Sequence, residues 1–307
     1  ALTVANVTDG SETFNTAVGY AAGGAVTTGN LNTLIGGLAG DALTAGNNNI
    51  AVGYGALGGD TLGDRAVAIG RGALENQNFT TSTDNYNVAV GWAAGNDITT
   101  GTLNTLIGGL NGDALTDGTR NTAVGYAALG QDTRGQRSTA IGYGALADQN
   151  LTTASASHNT AVGYNAGGAI TTAVRTTIVG ALASDAALTA ERNVALGYAA
   201  LSADTAGNRS VAIGYEALGT QNFSTSTDNY NIGIGYLAGN VISTGLRNTI
   251  IGGLAGDVLT DADENTAVGY GALSSDILGS KSTALGRSAL ATQSFSTATD
   301  SFNTAVG

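Results

Sequence analysis

Gly53-Tyr-Gly55-Ala-Leu-Gly58 has the spacing of the glycine-rich loop that holds a dinucleotide pyrophosphate. That chemistry needs a strand before the loop and a helix after it, so that backbone N–H groups converge on the phosphates. The same phase reads Gly-Tyr-Ala-Ala-Leu-Gly from Gly125 and Gly-Tyr-Gly-Ala-Leu-Ser from Gly269. The match is therefore a by-product of repetition, and no cofactor is expected. His158 is the one histidine and so the one candidate base for a Ser-His-Asp arrangement. Its counterparts in the repeats on either side are Tyr86 and Tyr230, which fits an edge position and not a chemical role.

Carboxylates recur at Asp41, Asp113, Asp185 and Asp257. Four rungs of a sheet separate successive copies by about 19 Å, too far for them to share a metal ion, and a turn or capping role is expected. Calcium held between chains by these groups is the alternative. Arg65, Arg120, Arg137, Arg175, Arg192, Arg209, Arg247 and Lys281 all stand immediately before the recurring motif. They predict a ridge of cations that pairs with acids on neighbouring rungs, with anionic glycans as the other reading. An aromatic column (Tyr20, Tyr54, Trp92, Tyr126, Tyr143, Tyr164, Tyr198, Tyr215, Tyr236 and Tyr270) is interrupted by Gly37, Gly109 and Gly253. Stacking along a rod is the first expectation for it, docking of sugar faces the second.

These groups need a scaffold, and the composition says which kinds are excluded. The 307 residues include 48 glycines and no proline, cysteine or methionine. Without cysteine there are no disulfides, thiolate metal sites or thiol nucleophiles. A net charge of −12 with eleven basic residues argues against a groove that tracks nucleic-acid phosphates. No apolar run is long enough to span a membrane.

What organises the chain is a five-residue motif ending in glycine, found seventeen times from Asn15 to Gly307. Its starts at Asn15, Asn32, Asn49, Ala66 and Asn87 set spacings of 17, 17, 17 and 21, a pattern that runs four times over. The true unit is thus a 72-residue repeat of four spacings, and Asn15-Thr-Ala-Val-Gly19 returns unchanged at Asn159 and Asn303. Glycine at the fifth position in every copy implies a turn with positive φ. A β-branched column (Thr16, Thr33, Ile50, Val67, Val88) lies three residues before it and an aliphatic column (Val18, Ile35, Val52, Ile69, Val90) one before. Two apart, they share one face of a strand, while Ala17, Leu34, Ala51 and Ala68 take the other. Alanine follows three residues after the glycine, as Ala22, Ala39, Ala56 and Ala73, with Asn111 the exception. A second apolar column, Val26, Leu43, Leu62 and Phe79, suggests a second strand before the chain returns. One spacing is one coil. Helical and disordered readings both fail on this pattern.

The boundaries expected are the tail of a 21-residue coil over 1–14, sixteen complete coils over 15–302 and the start of another over 303–307. Both ends fall inside the repeat, so a window on a longer fibre is expected. Thin coils with alanine and glycine columns would present small-residue faces suited to another chain, which makes oligomerisation the natural expectation.

Ser210-Val-Ala-Ile-Gly214, followed by Ala217, resembles the recurring motif in the head domains of YadA-type trimeric autotransporter adhesins, and similar repeats occur in phage tail fibres. The resemblance covers Asn15 to Gly307. It implies an all-β fold, a left-handed parallel β-roll or β-solenoid, with three chains about one axis. Family heads use shorter coils than this chain does.

The expected function is a non-enzymatic, extracellular, homotrimeric fibre segment on a cell surface or virion. It would attach to a glycan or protein receptor, with no nucleic-acid partner and no membrane insertion by this segment. A purely architectural shaft is the alternative. An ice-binding solenoid is a third reading, suggested by Thr16, Thr33, Thr105 and Thr122 and broken by Ile50, Val67 and Val88. No catalytic, cofactor-binding or metal residues are expected. The 21-residue coils depart most from the repeat, and bulged loops on a rigid scaffold are where binding concentrates. The candidate surface-binding residues are therefore Gln77, Asn78, Asp84 and Tyr86, with Gln221, Asn222, Asp228 and Tyr230 in the equivalent coil.

Overall fold

A computed structural model describes residues 13–307, so all but the last two residues of the expected leading tail over 1–14 lie outside it. The chain divides into two compact units, Ala1–Ser157 and His158–Gly307. Each unit is a parallel β-solenoid, and the described residues contain no helix.

In the first unit the motif forms three-residue strands at Thr16–Val18, Thr33–Ile35, Ile50–Val52, Val67–Ile69, Val88–Val90, Thr105–Ile107, Thr122–Val124 and Thr139–Ile141. Each pairs in parallel and in register with the next, so Thr16 lies against Thr33, Ala17 against Leu34 and Val18 against Ile35. The second unit repeats this from Thr160–Val162 to Thr304–Val306. One motif spacing is one coil, as the periodicity predicts. The second strand expected around Val26 and Leu43 is absent among the described residues. Instead, two-residue strands join the third coil of each repeat to its long coil, as Gly63–Asp64 to Thr83–Asp84 and Gly207–Asn208 to Thr227–Asp228.

The motif glycines bear out their expected conformation, with φ from +122° to +156°. A second constraint acts on them: a Cβ added to Gly53 would stand 2.5 Å from the Gly70 carbonyl oxygen of the next coil. Steric room and backbone angle both select glycine. The basic column shares the left-handed region, with φ of 63° at Arg65 and 60° at Arg120. There the turned backbone aims its N–H back along the solenoid, from Arg65 to the Asn47 carbonyl at 3.0 Å and from Arg120 to Thr102 at 3.0 Å.

The faces of the strand are reversed from the expectation that small residues meet another chain. Leu34, Ala51, Ala68, Ala89 and Leu106 point inward and are fully buried, while the β-branched and aliphatic columns point outward. The same inward position holds Ile178 and Ile250 in the second unit, also fully buried, and alanine in most other coils. Leu57 and Leu74 fill the ninth coil position in the third and fourth coils, where the first two carry Gly23 and Gly40. A Cβ on Gly40 would meet Leu34 Cδ2 at 2.8 Å, so bulk from one wall forbids it at the other.

The second apolar column also needs correction. Val26, Leu43 and Phe79 are buried, but Leu62 is only half-buried. Strict register places Asp60 at the inward position beside Leu43, and Gln77 follows it in the long coil; both are fully buried.

Candidate functional site

The inward position twelve residues into each coil is apolar in the first two coils (Val26 and Leu43) and polar in the third and fourth (Asp60 and Gln77). The same change recurs at Asp132 and Gln149, Asp204 and Gln221, and Asp276 and Gln293. Gln77 Nε2 donates to Asp60 Oδ2 at 2.6 Å, while Asp60 Oδ1 accepts the N–H groups of Gly63 at 3.0 Å and Phe79 at 3.2 Å. Asn87 Nδ2 then donates to Gln77 Oε1 at 2.8 Å. In the second unit Gln221 bridges Asp204 at 2.5 Å and the Ser210 hydroxyl at 2.9 Å, and Asn231 donates to its Oε1 at 2.9 Å. Burial holds the carboxyls of Asp60, Asp132 and Asp204 above the usual carboxylate range, opposed by the hydrogen bonds from glutamine and backbone.

This network continues a ladder of asparagines at the first motif position. Asn104 Oδ1 accepts the Asn121 N–H at 3.0 Å, and its Nδ2 donates to the Gly118 carbonyl at 2.9 Å. Asn121 repeats the arrangement with Ser138 N–H and the Gly135 carbonyl, and in the second unit Asn248 does so with Asn265 and Ala262. The motif as first read anticipates neither the ladder nor the Asp–Gln network. A signal for both is present: asparagine opens most copies and gives way to Ala66, Ser138, Ser210 and Ser282 in every long coil, and to Thr176 once elsewhere.

Gln77 and Gln221 therefore leave the list of surface candidates, because both belong to this interior network. The other six are exposed. Asp84 and Tyr86 are brought together with Arg65, whose guanidinium pairs with Asp84 and lies 5.5 Å from the centre of the Tyr86 ring. Arg209 likewise stands 3.3 Å from Asp228 and 5.3 Å from the centre of the Tyr230 ring. Lys281 joins Asp300 at 2.5 Å and lies 5.2 Å from the centre of the Phe302 ring. Asn78 and Asn222 sit apart from these clusters, at the start of the long-coil loop. That loop exposes Thr80, Thr81 and Ser82 in one copy and Ser224, Thr225 and Ser226 in the other.

Four members of the cation ridge, Arg65, Arg209, Arg247 and Lys281, are thus paired with acids on the neighbouring coil, Arg247 with Glu264 at 3.2 Å, whereas Arg192 pairs with Glu191 on its own coil. The aromatic column stacks where tyrosines are consecutive. Tyr126 and Tyr143 lie 5.5 Å apart, Tyr198 and Tyr215 5.3 Å, and Tyr215 and Tyr236 5.5 Å. Where Gly37 or Gly253 interrupts, the ring of the next coil, Tyr54 or Tyr270, covers it. Asp41, Asp113, Asp185 and Asp257 are half-buried, and desolvation raises their pKa values. His158 is exposed. Among the described residues, no group of three or more His, Asp and Glu side chains is placed to hold a metal ion.

The remaining surface of note is the outward face of the motif strands. Ile35, Ile69, Ile107 and Ile141 are about two-fifths exposed, at 38 to 42%, with Tyr54, Tyr126 and Tyr143 beside them. Comparison with protein-family models, with curated proteins and with solved structures gives no match.

Proposed function

We propose that this chain is a non-enzymatic segment of a homotrimeric fibre, displayed outside the cell or on a virion, that serves attachment to a cell or host surface. The observation carrying this reading is the uncovered apolar face of the motif strands, where threonine, valine and isoleucine stand outward in the coils of each unit beside a tyrosine column. A continuous apolar strip on a single chain is an interaction surface. In-register repetition gives each coil the same kind of outward side chain, so another copy of the chain can match it rung for rung. The likeness of Ser210-Val-Ala-Ile-Gly214 to YadA-type head repeats favours three copies.

Light scattering on the purified chain tests this. A mass three times 30.1 kDa is the expected result, and a monomer at 30.1 kDa ends the trimer reading. A purely architectural shaft is the second reading, and the internal pairing of Arg65 with Asp84 and Tyr86 favours it, because the loop's charged groups already have partners. A glycan array separates the two: binding supports attachment by this segment, and silence across the array supports the shaft.

A further inference from the structure

Among the described residues, Asn78-Phe-Thr80, Asn150-Leu-Thr152 and Asn222-Phe-Ser224 are three copies, at one position in successive four-coil repeats, of the Asn-x-Ser/Thr pattern that accepts an N-linked sugar; Asn6-Val-Thr8, the copy before them, lies outside the described residues. All three open the long-coil loop. In each, the asparagine Oδ1 accepts a hydroxyl from the preceding coil, Thr61 at 3.0 Å, Thr133 at 3.1 Å and Thr205 at 3.2 Å. That contact orients the amide and leaves Nδ2 without a partner among the described residues. Asn78 and Asn222 are exposed and Asn150 is half-buried. The hydroxyls two residues on, of Thr80, Thr152 and Ser224, are exposed and bonded to nothing among the described residues.

A simpler reading is that asparagine merely ends a threonine ladder, since Thr27 bonds the Thr44 carbonyl at 3.1 Å and Thr44 the Thr61 carbonyl at 3.0 Å. That ladder needs only the next backbone carbonyl. Thr61 reaches Phe79 O at 2.9 Å and Thr205 reaches Phe223 O at 2.8 Å, so the asparagine is superfluous to it. In the fourth long coil the asparagine becomes Ser294, and the residue at the Thr205 position of that repeat becomes Ile277.

The same fold carries its own negative control. Asn208-Arg-Ser210 also matches the pattern, but Asn208 is 5% exposed and its Nδ2 donates to Ser226 Oγ at 2.9 Å. Ser210 is buried and donates to Asn229 at 2.8 Å.

We infer that Asn78, Asn150 and Asn222 are acceptors for N-linked glycosylation of the folded chain by a transferase using a nucleotide-activated sugar. In that step the bond between the anomeric carbon and the nucleoside diphosphate breaks, and the diphosphate departs with the bonding electrons. The carbon bonds to the asparagine Nδ2, which gives up one proton to the transferase's base. The inference is independent of the fibre reading, because the acceptor geometry exists within one chain.

Incubating the folded chain with UDP-glucose and a soluble Asn-x-Ser/Thr-dependent glucosyltransferase, followed by peptide mass mapping, provides the test. Hexose is expected on Asn78, Asn150 and Asn222, with at least tenfold lower occupancy on Asn208. Thr80→Ala, on an exposed side chain, should abolish the Asn78 adduct alone and leave the circular dichroism spectrum unchanged. Absence of hexose at the three loop asparagines overturns the proposal, and so does equal occupancy of Asn208.

Discussion

A carboxylate enclosed by Gln221 Nε2 and the N–H groups of Gly207 and Phe223 has little water to stabilise its charge. Burial raises the pKa of Asp204, as it does for Asp60 and Asp132, so each holds its proton more tightly in the folded chain than in the unfolded one. Between the unfolded value near 3.8 and the raised folded value, the folded chain binds more protons. Stability from these groups is therefore full below that window and is lost as pH rises through the folded pKa. Asp261 works in the opposite sense, its pKa lowered by the Ser243 and Thr244 hydroxyls. Thermal melts from pH 4 to 7 should show the midpoint falling with pH, and Asp204→Asn should flatten that slope. The same variant should cost about 1–3 kcal/mol, because an amide nitrogen then faces the Gln221 donor. A slope unchanged by the substitution would refute the assignment. At the motif glycines, Gly53→Ala should cost roughly 3 kcal/mol or more in urea denaturation, from left-handed backbone strain and collision with the Gly70 carbonyl together.

The coil is the element, and its two walls are unequally legible. Spacing alone locates every three-residue strand and the turn glycine that ends each motif, because a constraint that returns once per coil stands out from a varied background. Alternation along Thr16-Ala17-Val18 separates two faces without saying which is inside. Usual experience puts valine in and alanine at the margin, but here Ala51, Ala68 and Ala89 are fully buried and the flanking β-branched residues stand outward. Leu62 is chosen over Asp60 for a similar reason: an apolar residue two positions away is a better guess for a core than a carboxylate, until the glutamine beneath it is seen. The asparagine ladder is hidden because a buried amide bridging backbone groups of two coils cannot be told in sequence from an exposed turn residue. Asn104→Ala would strand both the Gly118 carbonyl and the Asn121 N–H. A loss of about 2–4 kcal/mol is expected in chemical denaturation, whereas replacing exposed Asn78 by Ala should change stability by less than about 0.5 kcal/mol.

At the scale of the molecule, the outward strand face should govern association and not folding. Ile107→Glu introduces a charge on a side chain already 42% exposed in the single chain. Its circular dichroism and monomer fold should be unaffected, while light scattering should record dissociation of the proposed trimer. A variant that stays trimeric would place the contact on another face. The buried Asp–Gln couple bears on how such a chain changes length. It occurs once per four-coil repeat and always between the third and fourth coils, the two that carry leucine at the ninth position. A duplication or deletion of whole four-coil blocks preserves every Asp–Gln pairing. Loss of a fourth coil alone stacks a carboxylate on an aliphatic side chain, as Asp60 on Ile98. The couple thus acts as a phase marker: duplications and deletions that keep a third coil next to its fourth preserve the buried network, and those whose breakpoint parts the two leave a carboxylate buried without its glutamine.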